Sequence, residues 1–125
     1  MMTDVKKFDL EERLVKFAVL IISLAESLEN SMAGKYIAGQ IIRSGISPAL
    51  NYGEAKSAES TNDFIHKMKV ALKELRETNI SLLIIQAKPL TKKDGLLTQC
   101  LKEANELISI FVKSIQTAMK NKPTK

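Results

Sequence analysis

Four stretches of this chain place an apolar residue at every third or fourth position, and that repeat leaves little choice of fold. In the first, Leu10, Leu14, Phe17, Ile21, Leu24 and Leu28 recur at alternating steps of four and three, which winds them onto one stripe of an α-helix. Asp9 precedes them with Glu12 three residues on, an N-cap followed by a carboxylate near the free backbone N–H groups. The third stretch opens near Ser60 or Thr61, carries Phe64, Met68, Ala71, Leu75, Thr78, Leu82 and Ile85, and is ended by Pro89, because the residue before proline is pushed out of the helical region. The fourth carries Leu97, Leu101, Ala104, Ile108, Phe111, Ile115 and Ala118 behind Thr91-Lys92-Lys93-Asp94, which resembles a capping box. With a second helix between them, the pattern predicts helices over about residues 9–29, 32–57, 61–87 and 92–120, with Asn30, Ser31 and Gly34 marking the first turn. No segment alternates with period two, so strands are not expected. Four long amphipathic helices on short connections imply one all-α domain over residues 1–125, an antiparallel up-down-up-down four-helix bundle.

There is more apolar surface than one core stripe per helix needs. The first helix also carries Val15, Ala18, Val19, Ile22 and Ala25; the third adds Ile65, Leu72 and Leu83; the fourth adds Leu96, Cys100, Leu107, Val112 and Met119. Exposing such residues costs solubility, so the sequence predicts a self-associating protein. The alternative is a broad core within one subunit.

Composition narrows the functional classes. The chain is 45% hydrophobic and 26% charged, a globular balance. Its longest apolar run, residues 17–22, falls far short of the roughly 20 needed to span a bilayer. MMTDVKKFDLEER lacks the apolar core of a signal peptide, so none is expected. Cys100 is the sole cysteine and His66 the sole histidine, which rules out an internal disulfide and a Cys/His metal cluster and makes a reducing cytoplasm the natural setting. The net charge of +5 gathers in Lys6 and Lys7, in Lys88, Lys92 and Lys93 around Pro89, and in Lys120, Lys122 and Lys125. That excess fits RNA, DNA or an acidic protein partner, and equally a surface that is merely kept soluble.

The second helix runs through QIIRSGISPALNYGEA, residues 40–55, where its unusual residues are ordered. Ala38, Ile41, Gly45, Ala49 and Tyr52 share one face; Gln40, Ser44, Ser47, Asn51 and Glu54 share another. The small residues Gly39, Ser44, Gly45, Ser47 and Ala49 would let a neighbouring helix approach closely. Pro48 cannot donate to the Ser44 carbonyl, so a bend is expected, with a break at residues 45–48 as the rival. Arg43 and Glu54 stand eleven residues apart, about 16 Å along the axis, too far to pair. Asn51 and Glu54 lie one turn apart and could act together. This polar stripe is either a network that sets helix register or a site for a ligand or partner.

Asn51-Tyr52-Gly53-Glu54-Ala55, Ala58-Glu59-Ser60, Asp63-Phe64-Ile65-His66-Lys67-Met68 and Ala71-Leu72-Lys73-Glu74-Leu75-Arg76-Glu77-Thr78, with Gln40-Ile41-Ile42-Arg43-Ser44 before them, carry a resemblance. They resemble the signature of the four-helix-bundle proteins encoded within intervening sequences of bacterial large-subunit ribosomal RNA genes, labelled S23 ribosomal proteins. The likeness spans roughly residues 8–118 and is densest over residues 40–78. Gly53 departs from a commonly acidic position, Asn79-Ile80-Ser81 from a commonly aromatic segment, and Pro48 and Leu50 from small residues. The resemblance implies an up-down bundle assembled as a homopentamer and kinship with accessory proteins of diversity-generating retroelements, which bind a reverse transcriptase and nucleic acid. It implies no enzymatic activity. It draws attention to Arg43, Asn51, Glu54, Lys67, Lys73, Glu74 and Glu77.

Catalysis finds little support in the residues themselves. His66 sits one turn after Asp63, but no nucleophile or oxyanion site accompanies them. Glu74 and Glu77 lack the Glu-x-x-His pairs of a di-iron bundle. Cys100 lies among Leu96, Leu97, Leu101 and Ala104, a small core or interface residue, and no glycine-rich phosphate loop occurs. No catalytic residue, cofactor or metal is therefore expected. Two functions remain: a nucleic-acid-associated homo-oligomer contacting phosphates through Lys88, Lys92 and Lys93, and an oligomeric protein-binding scaffold.

Overall fold

The computed structural model of the chain describes residues 9–122. Its helices are α1 (Leu10–Glu26), α2 (Met32–Lys56), α3 (Thr61–Ala87) and α4 (Asp94–Lys120). Lys6, Lys7 and Lys125 lie outside the described residues.

Three of the four helices begin on a side-chain cap that satisfies a backbone N–H. Asp9 accepts from the Glu12 N–H at 3.1 Å, Ser31 from that of Gly34 at 3.1 Å and Ser60 from that of Asp63 at 3.0 Å. The fourth differs from expectation. Thr91 does not cap α4, which starts at Asp94 with Lys93 at the cap position and no side-chain cap bond. Thr91 Oγ1 instead takes the Lys93 N–H at 3.1 Å and lies 2.7 Å from Ser27 Oγ, joining the α3–α4 loop to the α1–α2 turn. The Glu29 N–H donates to the Leu90 carbonyl at 2.8 Å across the same junction. α1 stops at Glu26, earlier than the pattern suggests, because Ser27 Oγ turns back onto the Leu24 carbonyl at 2.6 Å.

Each helix packs along the next, and α4 returns to lie beside α1, which closes an antiparallel up-down-up-down bundle. α1 and α3 therefore stand diagonally across it. Leu14, Phe17, Ile21, Leu24, Ile41, Met68, Leu75, Leu82, Ile85, Leu107 and Phe111 fill the centre without solvent exposure; burying such a side chain stabilises by about 1.5–3 kcal/mol.

The apolar surplus divides three ways. Ala18, Ala25, Ile65, Cys100 and Leu107 join the core; Ile22, Leu72, Leu96 and Val112 are half-buried; Val15, Val19, Leu83 and Met119 face solvent. α2 runs unbroken through a buried Pro48, so the rival break at residues 45–48 does not occur. Of its small residues, Gly45 makes the close approach: a Cβ there would meet Ile21 Cγ2 at 2.7 Å, whereas one at Gly39 would meet nothing.

Candidate functional site

The polar stripe of α2 faces α3, and the residues singled out on these two helices fall into two groups. At the centre Thr78 Oγ1 donates to Ser44 Oγ at 2.7 Å and reaches the Glu74 carbonyl at 2.9 Å. Both hydroxyls are buried, so this bond replaces water for two groups that could not otherwise be satisfied. One step towards the surface, Arg43 Nη1 donates to Glu74 Oε1 at 3.1 Å and Arg43 Nη2 to Glu77 Oε1 at 3.4 Å. Lys73 completes the network, 3.1 Å from the other oxygen of Glu77. The hydrogen bond from Lys73, assisted by Arg43, holds the Glu77 carboxyl below its usual range. Glu74 is nearly buried, while the Arg43 side chain is 57% exposed, so the network spans the rim of the helix pair.

Further along, Lys67 Nζ donates to Glu54 Oε1 at 2.7 Å, and that bond raises the Lys67 pKa. Asn51 does not act with Glu54. Its amide donates to the Ser47 carbonyl at 3.1 Å and to Ser47 Oγ at 2.9 Å, within its own helix. Arg43, Lys73, Glu74 and Glu77 are thus brought together, Glu54 and Lys67 form a separate pair, and Asn51 stands apart. Ser44 and Ser47 spend their hydroxyls on Thr78 and Asn51.

Lys88, Lys92 and Lys93 occupy the α3–α4 connection, all exposed and without an ion-pair partner among the described residues. Lys88 caps the end of α3 with its N–H on the Ile84 carbonyl at 2.9 Å. His66 is exposed on α3. Cys100 is buried, and desolvation pushes its thiol up to about 11, which keeps it protonated and unreactive at neutral pH. Among the described residues no three His, Cys, Asp or Glu side chains converge on a point, and no helix is long and apolar enough to cross a membrane.

Two features escaped sequence reasoning. Arg13 on α1 binds α4 through Glu103, at 2.5 and 2.9 Å, and through Glu106 at 2.5 Å. Nothing local signals a pair separated by ninety residues. Asn79 Oδ1 is buried without a hydrogen-bond partner, at one of the positions where the sequence departs from the commonly aromatic segment.

These surfaces define a four-helix-bundle protein whose polar side chains on α2 and α3 mostly bind one another across the seam between the helices. Residues 6–113 match the family model of the 23S rRNA-intervening sequence protein, and the chain belongs to that family. It is similar to a crystal structure of a protein of unknown function from the S23 ribosomal protein family of Bacteroides thetaiotaomicron, with 31% identity over 86% of this chain and 98% of that one, at a TM-score of 0.75. None of the curated proteins compared with the chain matches it.

Proposed function

We propose that this chain works by binding rather than turnover: a homo-oligomer, pentameric as its family resemblance implies, that holds the backbone of RNA or DNA and serves a ribonucleoprotein or reverse transcriptase in a reducing cytoplasm. The observation that carries this reading is the state of the loop lysines. Arg43, Lys56, Lys67 and Lys73 are each engaged by a carboxylate, whereas Lys88, Lys92 and Lys93 are exposed with none. Unpaired ammonium groups on a short connection suit phosphate contacts, which need charge and reach rather than a shaped pocket. The family name, 23S rRNA-intervening sequence protein, adds an association with ribosomal RNA genes.

Salt titration of binding to a single-stranded RNA and a DNA of equal length tests this. Three phosphate contacts per site predict an affinity loss of roughly 20- to 40-fold between 50 and 200 mM salt. The Lys92→Ala/Lys93→Ala variant should lower the slope of log K against log salt by about 1.4–1.8. No binding at low salt, or an unchanged slope in the variant, overturns the reading and favours the protein-binding scaffold.

A further inference from the structure

We propose that successive copies of this chain join head to tail, the outward stripe of α1 on one copy lying antiparallel along the outward stripe of α3 on the next. The inference rests on the homo-oligomeric reading above and adds which faces meet.

Each stripe has something to cover. On α1, Val15 is 51% exposed and Val19 57%, with Glu26 exposed two turns beyond Val19. On α3, Ile80 is 56% exposed and Ile84 47%, with Lys73 and Arg76 exposed before them. Neither apolar pair has a covering partner within the subunit.

Charge selects the mate and the direction. Glu26 and Arg76 have no ion-pair partner among the described residues, while Glu12 is engaged by Lys16 and Lys73 by Glu77. With the helices antiparallel, seating Val19 on Ile80 brings Val15, four residues before Val19, against Ile84, four residues after Ile80. The same register brings Glu26 level with Lys73, since each lies seven residues, about 10.5 Å, from the Val19–Ile80 crossing, with Arg76 one turn nearer. Run parallel, the same crossing would set Val15 on Arg76 and leave Ile84 opposite Ser23. Only the antiparallel direction matches apolar to apolar and acid to base.

Because α1 and α3 stand diagonally in the bundle, the two stripes face away from each other. A two-fold dimer joins identical patches; this contact joins different ones, so it repeats around a closed ring or along a filament.

Val19→Arg disables one face and Ile80→Arg the other, and light scattering reads the outcome. Wild type should be an assembly at high micromolar concentration, and each variant should fall to the mass of one 13.9 kDa chain. An equimolar mixture should then recover a one-to-one dimer and nothing larger, because just one intact α1 face and one intact α3 face remain. Val15→Arg mixed with Ile84→Arg should repeat that result, and far-ultraviolet circular dichroism confirms that each variant is folded. Assembly of either variant at wild-type mass, or a mixture that stays monomeric, overturns the inference while leaving the oligomer. A monomeric wild type removes the homo-oligomeric reading itself.

Discussion

Helices α2 and α4 are nearly equal in length, at 25 and 27 residues, and they stay in the bundle by opposite means. α4 contributes mass: Leu97, Cys100, Leu107, Phe111 and Ile115 are buried along a strongly one-sided helix, and its ion pair to α1 is confined to the rim at Arg13. α2 contributes closeness. Its buried residues are Gly34, Ile41, Ser44, Gly45, Pro48 and Ala55, most of them small, and the hydroxyl of Ser44 is bonded to Thr78. A large side chain is held by how much surface it hides, a small one by how well its neighbours fit it. α4 should therefore fail when its residues are made smaller, and α2 when they are made larger or lose a polar partner.

The largest expected effect is on α4. Phe111 is fully buried and meets Tyr52 of α2 edge to face, with ring centroids 6.2 Å apart. Phe111→Ala should cost about 3–5 kcal/mol in urea unfolding, a large share of the roughly 5–15 kcal/mol that holds a small domain together. On α2 the comparable trimming, Ile41→Val, should cost about 0.5–1.5 kcal/mol. Equal losses at the two positions would break the contrast.

Enlargement should reverse the order. Gly45→Ala improves helix propensity by about 1 kcal/mol, yet its new methyl would sit 2.7 Å from Ile21 Cγ2. Overpacking of this kind typically costs about 1–3 kcal/mol, so the substitution should be net destabilising or at best neutral. In an Ile21→Ala background the obstruction is gone, and Gly45→Ala should become stabilising. That change of sign is the sharp test, since a simple loss of flexibility would stabilise in both backgrounds.

The polar half of the contrast is smaller again. Thr78→Val leaves the buried Ser44 hydroxyl without its mate and should cost about 1–3 kcal/mol. Adding Ser44→Ala should restore part of the loss, because no orphaned group then remains. A double-mutant cycle showing no coupling between positions 44 and 78 would mean that the bond contributes nothing to the seam.

Much of this was legible from periodicity. The four helices, their up-down order and the central stripes follow from apolar spacing and caps, because burial on one face is a local pattern that survives in one dimension. Phe64 and Ile65 show its limit: both suit the stripe, and packing buries Ile65 while leaving Phe64 half-covered. The polar stripe of α2 could be read, but the residue types of Asn51 and Glu54 do not say that one turns to its own helix and the other to Lys67. Thr91 failed as a predicted cap because Ser27, sixty-four residues away, competes for its hydroxyl. The Arg13 clamp was invisible for the same reason: pairing partners remote in sequence are chosen by the assembled bundle.

The least effect is expected at the rim of the α2–α3 seam, where it can be read through acid. Lys73 and then Arg43 hold Glu77 below the usual carboxylate range in the folded state. A carboxylate with a depressed folded pKa adds stability at pH values above its unfolded pKa, and that contribution is lost as pH falls through the folded value. Thermal unfolding of wild type should therefore weaken through the acid range more steeply than that of Glu77→Gln, with the curves converging at the lowest pH. At neutral pH the difference should be about 0.2–1 kcal/mol, the range for exposed ion pairs, because the Glu77 side chain is 42% exposed. Parallel acid limbs would show that the rim charges do not steady α2, leaving close packing at Gly45 and the Ser44–Thr78 bond as its hold on the bundle.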